Sequence, residues 1–506
     1  MGAVRGILLD SSVVLSSDAS HGDAVVALAA EYLLGKLRYS RIPIGILCEQ
    51  DLSSPKFYSL QVNLIQEVAT KYFCTVFCSS TDDISSVIAQ SWEDRGGDVV
   101  HVVSSRKMDF HPKGNDCTWL KVIVGNADRE PSTDAEYVGA TGISNLFISQ
   151  LEELLLLICQ LNKKAIGEEA LIVGYVMKPS REGDFAKRGA FPMHPTENGL
   201  IFLPLNYDLP LAPQFQLLDA VLHKATDEIL AVDMDSPLGS IEQVTFTNNL
   251  QELCRHIKCH LDCCVIDPFN NVLPILDRFR IQQILFGLEK LNIHGHCKIR
   301  PPHFLKVDRF DESDLEQKLA QAKLSLPTIV KPQVACGVSE AHSMAIVFKI
   351  DQYKDLNIPL PAVVQEYVNH MALIYKFYAL GGKIFYAVKK SIPNADNLMS
   401  LSPENGMKPL LFDSLKSLPV AKEQVNVTSH QIDLDLVNHA ADWLRRTLDL
   451  TIFGFDVVVQ EGTGDHVIVD VNYLPSFKEV PDDVAIPAFW DALKEKILSG
   501  KCKNTS

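Results

Sequence analysis

The sequence predicts an α/β protein: a doubly wound N-terminal domain followed by two further units. Three observations carry that reading. Across residues 1–125, short apolar strand-like runs alternate with amphipathic stretches, the pattern of a parallel sheet wrapped by helices. A second strand-then-turn sequence opens at LIVGYVMKPSREG (171–183). Two hairpin patterns fall late in the chain, at residues 374–390 and 453–472.

In chain order, the candidate strands of the first domain are GILLD (6–10), IPIGILC (42–48), YFCTVFC (72–78), DVVHVVS (98–104) and WLKVIVG (119–125). The clearest helix between them is DAVVALAAEYLLGKLR (23–38). A polar stretch at 126–142 leads to a helix expected over 143–163, ending in Asn162-Lys163-Lys164. It reads as the exit from a domain spanning 1–165. A second α/β unit, 166–277, runs through GLIFLPLNYDLPL, DAVLHKATDEIL and most of CCVIDPFNNVLPILDR (263–278). The third, 278–506, begins at Arg278 and carries both hairpins. No fixed-period repeat interrupts them.

At 506 residues the chain can hold two to four domains of about 150 residues each, and its 47% apolar share is that of ordinary globular cores. The longest apolar run, LEELLLLICQL (151–161), is well short of the ~20 residues of a membrane span, so no membrane insertion is expected. MGAVRGILLD has no apolar leader before Asp10, and Gly6 stands where a myristoylation signal wants Ser or Thr. Twelve cysteines without a secretory signal point to reduced thiols and a cytoplasmic location. The net charge of −16 argues against nucleic acid and anionic membranes as partners. A small polyanion stays open, because a local basic pocket can sit in an acidic protein.

The stretch FGFDVVVQEGTGDHVIVDVN (453–472) places Asp456 and Asp470 inside strand-forming sequence, with a polar, Gly-containing turn between. If the turn is symmetric about Thr463, Asp456 faces Asp470 across the hairpin. Side-chain alternation then sets Asp470 and Asn472 on one face and Val467, Val469 and Val471 on the other, while Phe453, Phe455, Val457 and Val459 point away from Asp456. Like charges opposed across strands destabilise the pair, and burial makes this worse. A hard divalent cation removes the conflict, and oxygen-only ligands suit Mg²⁺. A hairpin with a wetted acidic face, or one whose register is shifted by a bulge, would serve equally well as an account.

Other motifs speak less clearly alone. LPTIVKPQVACG (326–337) ends a strand-like run in Lys331, which can meet phosphates as a point charge or simply be solvated. Gly381-Gly382 joins IYKFYAL to KIFYAVKK as a hairpin, embedding Lys376 and Lys389 in apolar sequence. They fit either phosphate recognition or snorkelling to a rim. ELCRHIKCHLDCC (252–264) lacks the spacing of structural zinc sites and reads as a helix entering a strand. Asp10 ends the strand GILLD, which resembles the nucleophile position of haloacid-dehalogenase (HAD)-like phosphatases. Their motif is Asp-x-Asp, but position 12 here is Ser. An HAD-like or Rossmann-like domain without phosphatase activity is therefore expected. No P-loop or dinucleotide-binding glycine motif is visible, so any ATP is held by another fold.

Taken in order, VGY (173–175), DAVLHKATD (219–227), VIDP with LDR (265–268, 276–278), IVKPQVACG with HSMAIVF (329–337, 342–348), VVQEYVNH with IYKFYALG (363–370, 374–381) and FGFD with VDVNYLPSF (453–456, 469–477) resemble the inositol 1,3,4-trisphosphate 5/6-kinase / inositol-tetrakisphosphate 1-kinase family. The likeness covers about residues 170–485, roughly two thirds of the chain. It implies an ATP-grasp kinase that phosphorylates inositol tris- or tetrakisphosphates in inositol phosphate and phytate metabolism and acts as a monomer. The long N-terminal extension is similar to the divergent plant branch.

The resemblance also implies roles. Asp456, Asp470 and Asn472 match the Mg²⁺ ligands, for two ions or one with the second weakly held. Lys331 and Arg278 match nucleotide-site cations, Gln365 to Val368 the hinge that meets adenine, and Ser391 a further nucleotide contact. His342, Lys376 and Lys389 fall where inositol phosphates bind, with His342 and Lys376 also the catalytic candidates and His342 the nearest for handling the hydroxyl proton, and Asn472 would touch substrate as well as metal. Two positions depart from the pattern. Ser180-Arg181 replace a pair of lysines after VGY, leaving Arg181 to take that phosphate role. Ser476 replaces a glycine, which alone lacks a Cβ, at the edge of the substrate pocket. Competing readings are an ATP-grasp carboxylate ligase, which would share the nucleotide residues, and an inositol phosphate sensor, for which a metal triad has little use.

Overall fold

A computed structural model describes residues 4–17, 24–49, 55–79, 84–92, 97–107, 119–125, 137–138, 144–233, 243–291, 298–401, 408–420 and 432–504. The chain divides into two compact units, one of Met1–Val176, Glu182–Val221 and Lys258–Cys264, the other of Met177–Arg181, Leu222–Ile257 and Val265–Ser506. The segment 166–277 is therefore shared between them.

In the first unit all five candidate strands form, as Val4–Asp10, Ile44–Glu49, Thr75–Ser79, Asp98–Ser104 and Trp119–Val124. They belong to a seven-stranded sheet whose order, by first residue, is 75, 44, 4, 98, 119, 144, 137. Neighbours run parallel except at the edge strand Tyr137–Val138. The order winds outward both ways from Val4–Asp10, as the alternating pattern predicts. That central strand is covered on both faces, so Ile7, Leu8 and Leu9 are all fully buried. Helix Leu28–Leu37 buries Ala30, Leu33, Leu34 and Leu37, the one-sided stripe expected of a helix over a sheet.

The helix expected over 143–163 begins later. Ser144–Ile148 is a strand, and the helix runs Leu154–Ile166. A five-residue strand, SNLFI, next to a helix is too short to show a periodicity of its own, so sequence alone merges the two. Asn162 on this helix is fully buried because its amide is fully used: Oδ1 accepts from Val4 N at 3.1 Å and Nδ2 donates to Met193 O at 3.0 Å. The same unit continues with Leu171–Val176 and Leu200–Pro204, paired in parallel. Residues 252–264, expected as a helix entering a strand, fall in helix Asn248–Cys259 and strand Cys264–Ile266.

The second unit holds two five-stranded sheets. One has the order Ile299–Arg300, His466–Tyr473, Ile452–Val459, Leu373–Leu380, Lys383–Lys390, and the other Phe304–Val307, Ala362–Glu366, Thr328–Pro332, Ser343–Val347, Leu410–Asp413. Both expected hairpins are therefore present and share a sheet. The turn between Leu373–Leu380 and Lys383–Lys390 needs glycine at 381: φ is +60°, and a Cβ there would lie 3.0 Å from the Ala492 Cβ. On one face of this sheet Phe377, Phe453 and Phe455 are buried and stacked, each ring contributing about 1.5–3 kcal/mol through burial. The opposite face carries the charges. No helix among the described residues is long and apolar enough to cross a membrane.

Candidate active site

All the candidate residues but Ser476 line one cavity of about 660 Å³, formed wholly by the second unit. Its floor is the charged face of the hairpin sheet. Lys376, Asp456 and Asp470 are direct neighbours across three strands, so alternation alone delivers all three to one side. Lys376 Nζ donates to Asp456 Oδ2 at 2.8 Å, and Asn472 Nδ2 to Asp470 Oδ2 at 3.1 Å.

The turn's symmetry about Thr463 holds from Phe453 opposite Tyr473 to Asp456 opposite Asp470, then slips by one residue from Val457 opposite Ile468. Val469 is the extra residue of the bulge. This corrects one expectation: Val467 packs with Val458 and Val368 beside the cavity rather than on the far face. The slip starts beyond the aspartates, so their pairing survives it.

Burial drives the Asp456 carboxyl up, Lys376 draws it down and Asp470 pushes it up again, leaving it above the ordinary carboxylate value. A divalent cation would relieve that conflict. The donors are two carboxylates and an amide oxygen, hard oxygens that fit Mg²⁺. Among the described residues no three His, Cys, Asp or Glu side chains cluster as a metal site, so Asn472 and nucleotide oxygens would have to complete the coordination.

The second sheet supplies the opposing wall. Lys331, at the end of Thr328–Pro332, reaches toward Val469 O at 3.5 Å. Burial lowers its pKa to about 8, opposed by the charges of Asp470 and Asp456. Arg278 is buried with its guanidinium committed to backbone, donating to the carbonyls of Pro332, Val334 and Ala335 at 2.7, 3.0 and 3.2 Å. It thereby fixes the loop that follows Lys331. Gln365 and Val368 adjoin an apolar slot walled by Ile329, Met344, Ile392 and Phe412. His370, the last residue of VVQEYVNH, has no role assigned from sequence, yet it orders this part of the site. Its Nδ1 lies 2.6 Å from Val368 O and must donate, so Nε2 accepts from Ser391 Oγ at 2.9 Å.

Elsewhere in the lining, Arg181 makes a two-point ion pair with Asp227, at 2.9 and 3.2 Å. Arg181 does not stand alone as expected: Lys178 and Lys224 also line the cavity. Lys224 donates to Tyr473 O, and burial, with Arg181 nearby, lowers its pKa to about 8. His342 lies 3.1 Å from Ser414 Oγ and is held below its usual pKa by burial and by Arg278. Lys389 pairs with Glu479, another residue the sequence argument missed.

Comparison with known proteins is decisive at this point. A profile described as "Inositol 1,3,4-trisphosphate 5/6-kinase ATP-grasp domain" matches residues 293–491, and one described as "ITPK4, N-terminal HAD-like domain" matches residues 1–164. A rice protein (Oryza sativa subsp. indica) called inositol-tetrakisphosphate 1-kinase 6 is 46% identical over 99% of this chain and 91% of its own. The chain belongs to the inositol-tetrakisphosphate 1-kinase family. The zebrafish (Danio rerio) inositol-tetrakisphosphate 1-kinase is 26% identical over 60% of this chain and 72% of its own. Among solved structures, a D-alanine–D-alanine ligase from Bacillus anthracis aligns with a TM-score of 0.41 and 16% identity over 66% of this chain and 100% of its own.

Family membership makes the chain an ATP-dependent inositol polyphosphate kinase with an ATP-grasp fold, of a family that typically uses a divalent metal, preceded by an HAD-like domain. The zebrafish alignment leaves a large part of the chain uncovered, whereas the rice relative spans nearly all of it.

Proposed function

We propose that the cavity transfers the γ-phosphate of ATP to a free hydroxyl of an inositol tris- or tetrakisphosphate, with the nucleotide at the Lys331–Val368 end and the inositol phosphate at the Arg181–Lys224 end. The observation that supports this most is the make-up of the lining: the paired aspartates share one cavity with apolar side chains such as Ile329, Met344, Ile392 and Phe412 and with a set of basic ones. A multiply phosphorylated ring calls for that set, and a carboxylate-activating ligase does not. The names of the relatives point the same way.

In this reading Asp456, Asp470 and Asn472 hold one or two Mg²⁺ ions, which neutralise charge on the transferring phosphoryl group when bound. Lys331 offsets charge on the nucleotide phosphates from the opposite wall. Its depressed pKa is offset by that same partner, since an anion beside it favours the charged form. Val368 and Gln365 form the adenine hinge, and His370 holds Ser391 ready at its edge. Arg181, Lys178, Lys224, His342, Lys376 and Lys389 grip the inositol phosphate. Lys376 is placed to move from Asp456 to substrate, a shift of partner within one sheet row. Phosphoryl transfer depends mostly on positioning and charge neutralisation, so no dedicated base is required. His342, kept largely neutral, is the side chain able to take the hydroxyl proton. The HAD-like domain is assigned no catalytic part, and the free cysteines, such as Cys48, Cys159 and Cys263, suit a cytosolic setting.

The test is product analysis. The chain is incubated with Mg²⁺-ATP and a panel of inositol tris- and tetrakisphosphates, followed by anion-exchange separation. A product with one added phosphate supports the assignment and identifies the hydroxyl chosen. Binding without turnover, or ADP release that requires an amino acid, overturns it.

A further inference from the structure

Arg181 and Asp227 both line the cavity, and they are joined as a fork. Arg181 sits in the first turn of helix Pro179–Lys187, where the helix dipole disfavours a cation. Asp227 closes the tight turn Ala225–Asp227, its own N–H pinned to Lys224 O at 2.8 Å, and only 7% of its side chain is exposed. Arg181 Nε donates to Asp227 Oδ2 at 2.9 Å, and Nη2 to Oδ1 at 3.2 Å. Those bonds take one edge of the guanidinium. The Nη1–Nη2 edge is left, and its paired donors match the oxygens of a phosphate. Lys178 Nζ lies 3.9 Å from Asp227 Oδ1, so two cations share one carboxylate and the group keeps a net positive charge.

Charge alone gives no reason for Asp227. A site for a polyanion loses attraction with each carboxylate placed among its cations. What the pair supplies is orientation. A free arginine gives up much of its rotamer freedom when substrate fixes it, whereas a fork already held by a rigid turn has lost that freedom beforehand. A lysine ammonium makes a point contact and cannot be aimed in this way. We propose that Asp227 is a positioning residue: it clamps one edge of the Arg181 guanidinium so that the other edge meets a phosphate of the inositol substrate in a fixed orientation. The proposal rests on the reading of Arg181 as an inositol phosphate contact.

Asp227→Asn separates orientation from charge, because it removes a negative charge while it releases the fork. With an inositol tetrakisphosphate that the unaltered chain phosphorylates, kcat/KM should fall roughly tenfold although the site has become more positive, while KM for ATP stays within about twofold. A rise in kcat/KM would mean that Asp227 only tempers the charge of the site, and the proposal fails. It fails equally if KM for ATP and KM for the inositol phosphate rise together, since the pair would then be structural. Arg181→Lys, which keeps the charge and loses the fork, should lower kcat/KM by a smaller factor, roughly threefold. In an Arg181→Met background, adding Asp227→Asn should change kcat/KM by less than about twofold, since the residue it acts through is gone. Losses that multiply in the double variant would overturn the proposal. If Asp227→Asn does not fold, Arg181→Lys decides, and a kcat/KM equal to the parent's defeats the clamp. No transfer to any inositol phosphate by the unaltered chain would instead defeat the kinase reading itself.

Discussion

The N-terminal sheet and the hairpin sheet of the second unit each bury an aspartate in strand sequence, and they treat its charge differently. Asp10 ends the central strand Val4–Asp10 and is almost fully buried. Its carboxylate caps the short helix Ser11–Val14 by accepting from Ser12 N at 2.8 Å. Position 12, where a phosphatase of this fold would carry a second acid, is Ser. Asp456 instead has Asp470 beside it, Lys376 paired to it and Lys331 across the cavity. One aspartate spends its charge on backbone geometry. The other two keep theirs available, with cations close enough to tolerate it and no protein group that satisfies them fully. An acid in a strand is thus informative about chemistry only through what the fold brings next to it.

The largest effect that would sharpen this contrast comes from Asp470→Ala. Turnover should fall on the order of 10²–10³-fold, as when a charge-stabilising group is removed from an active site. The circular dichroism spectrum and melting temperature should stay near those of the parent, since removing one of two opposed carboxylates relieves repulsion. Loss of fold with loss of activity would show that the pair is structural. Lys331→Met comes next. KM for ATP should rise about tenfold or more, and KM for the inositol phosphate should move much less. A rise in both would place Lys331 at the boundary between the two halves of the cavity.

Smaller still is a pH effect in the buried network behind Lys224. His223 is fully buried, with its Nδ1 accepting from Ala225 N at 3.2 Å and Nε2 donating to Asp267 O at 2.7 Å. Burial lowers its pKa to about 4, and raises that of the Asp267 carboxyl to about 6. Below pH 6.5 the unfolded chain protonates at His223 before the folded one does, so this histidine removes stability as pH falls from 6.5 to 4. Asp267 acts in the opposite sense: the folded chain binds its proton first, so it adds stability as pH falls from 6 to 4. Each is worth about 3 kcal/mol by linkage, and they nearly cancel. In Asp267→Asn the histidine's slope should be uncovered, with urea-unfolding stability dropping by a few kcal/mol between pH 6.5 and 4. An unchanged slope would show that the two groups do not titrate as buried neighbours.

Much of this was legible in sequence because strands broadcast period-two patterns. The first domain's sheet, the two late hairpins and the facing aspartates all follow from alternation around glycine-containing turns. The bulge was not legible: Val469 is one apolar residue in an apolar run, and an inserted residue there leaves no compositional trace. The strand Ser144–Ile148 was absorbed into a helix because five residues are too few to show a period of two. Lys178 and Lys224 escaped notice because they sit just outside strands, where charged residues are usually solvated. Only the fold shows that these particular loops turn inward. Ser476, singled out for its missing glycine, lies outside the cavity lining. Arg278 lines it, but its donors hold backbone, a role no motif announces.

The smallest expected effect tests the other side of the comparison. Asp10→Asn keeps a side-chain oxygen for Ser12 N, and Asn caps helices about as well as Asp, so stability should change by no more than about 1 kcal/mol. Kinase turnover should stay within about twofold, because nothing assigns Asp10 to the phosphoryl-transfer site. The unaltered chain should also show no hydrolysis of a simple aryl phosphate above background. Hydrolysis that Asp10→Asn abolishes would break the contrast: it would mean that a single strand-end aspartate, with Ser12 in place of the second acid, still attacks phosphate. The HAD-like domain would then be a second catalytic site on the chain. Its buried aspartate would have to be read by the same rule as Asp456, through whatever cation or donor neutralises the phosphate beside it.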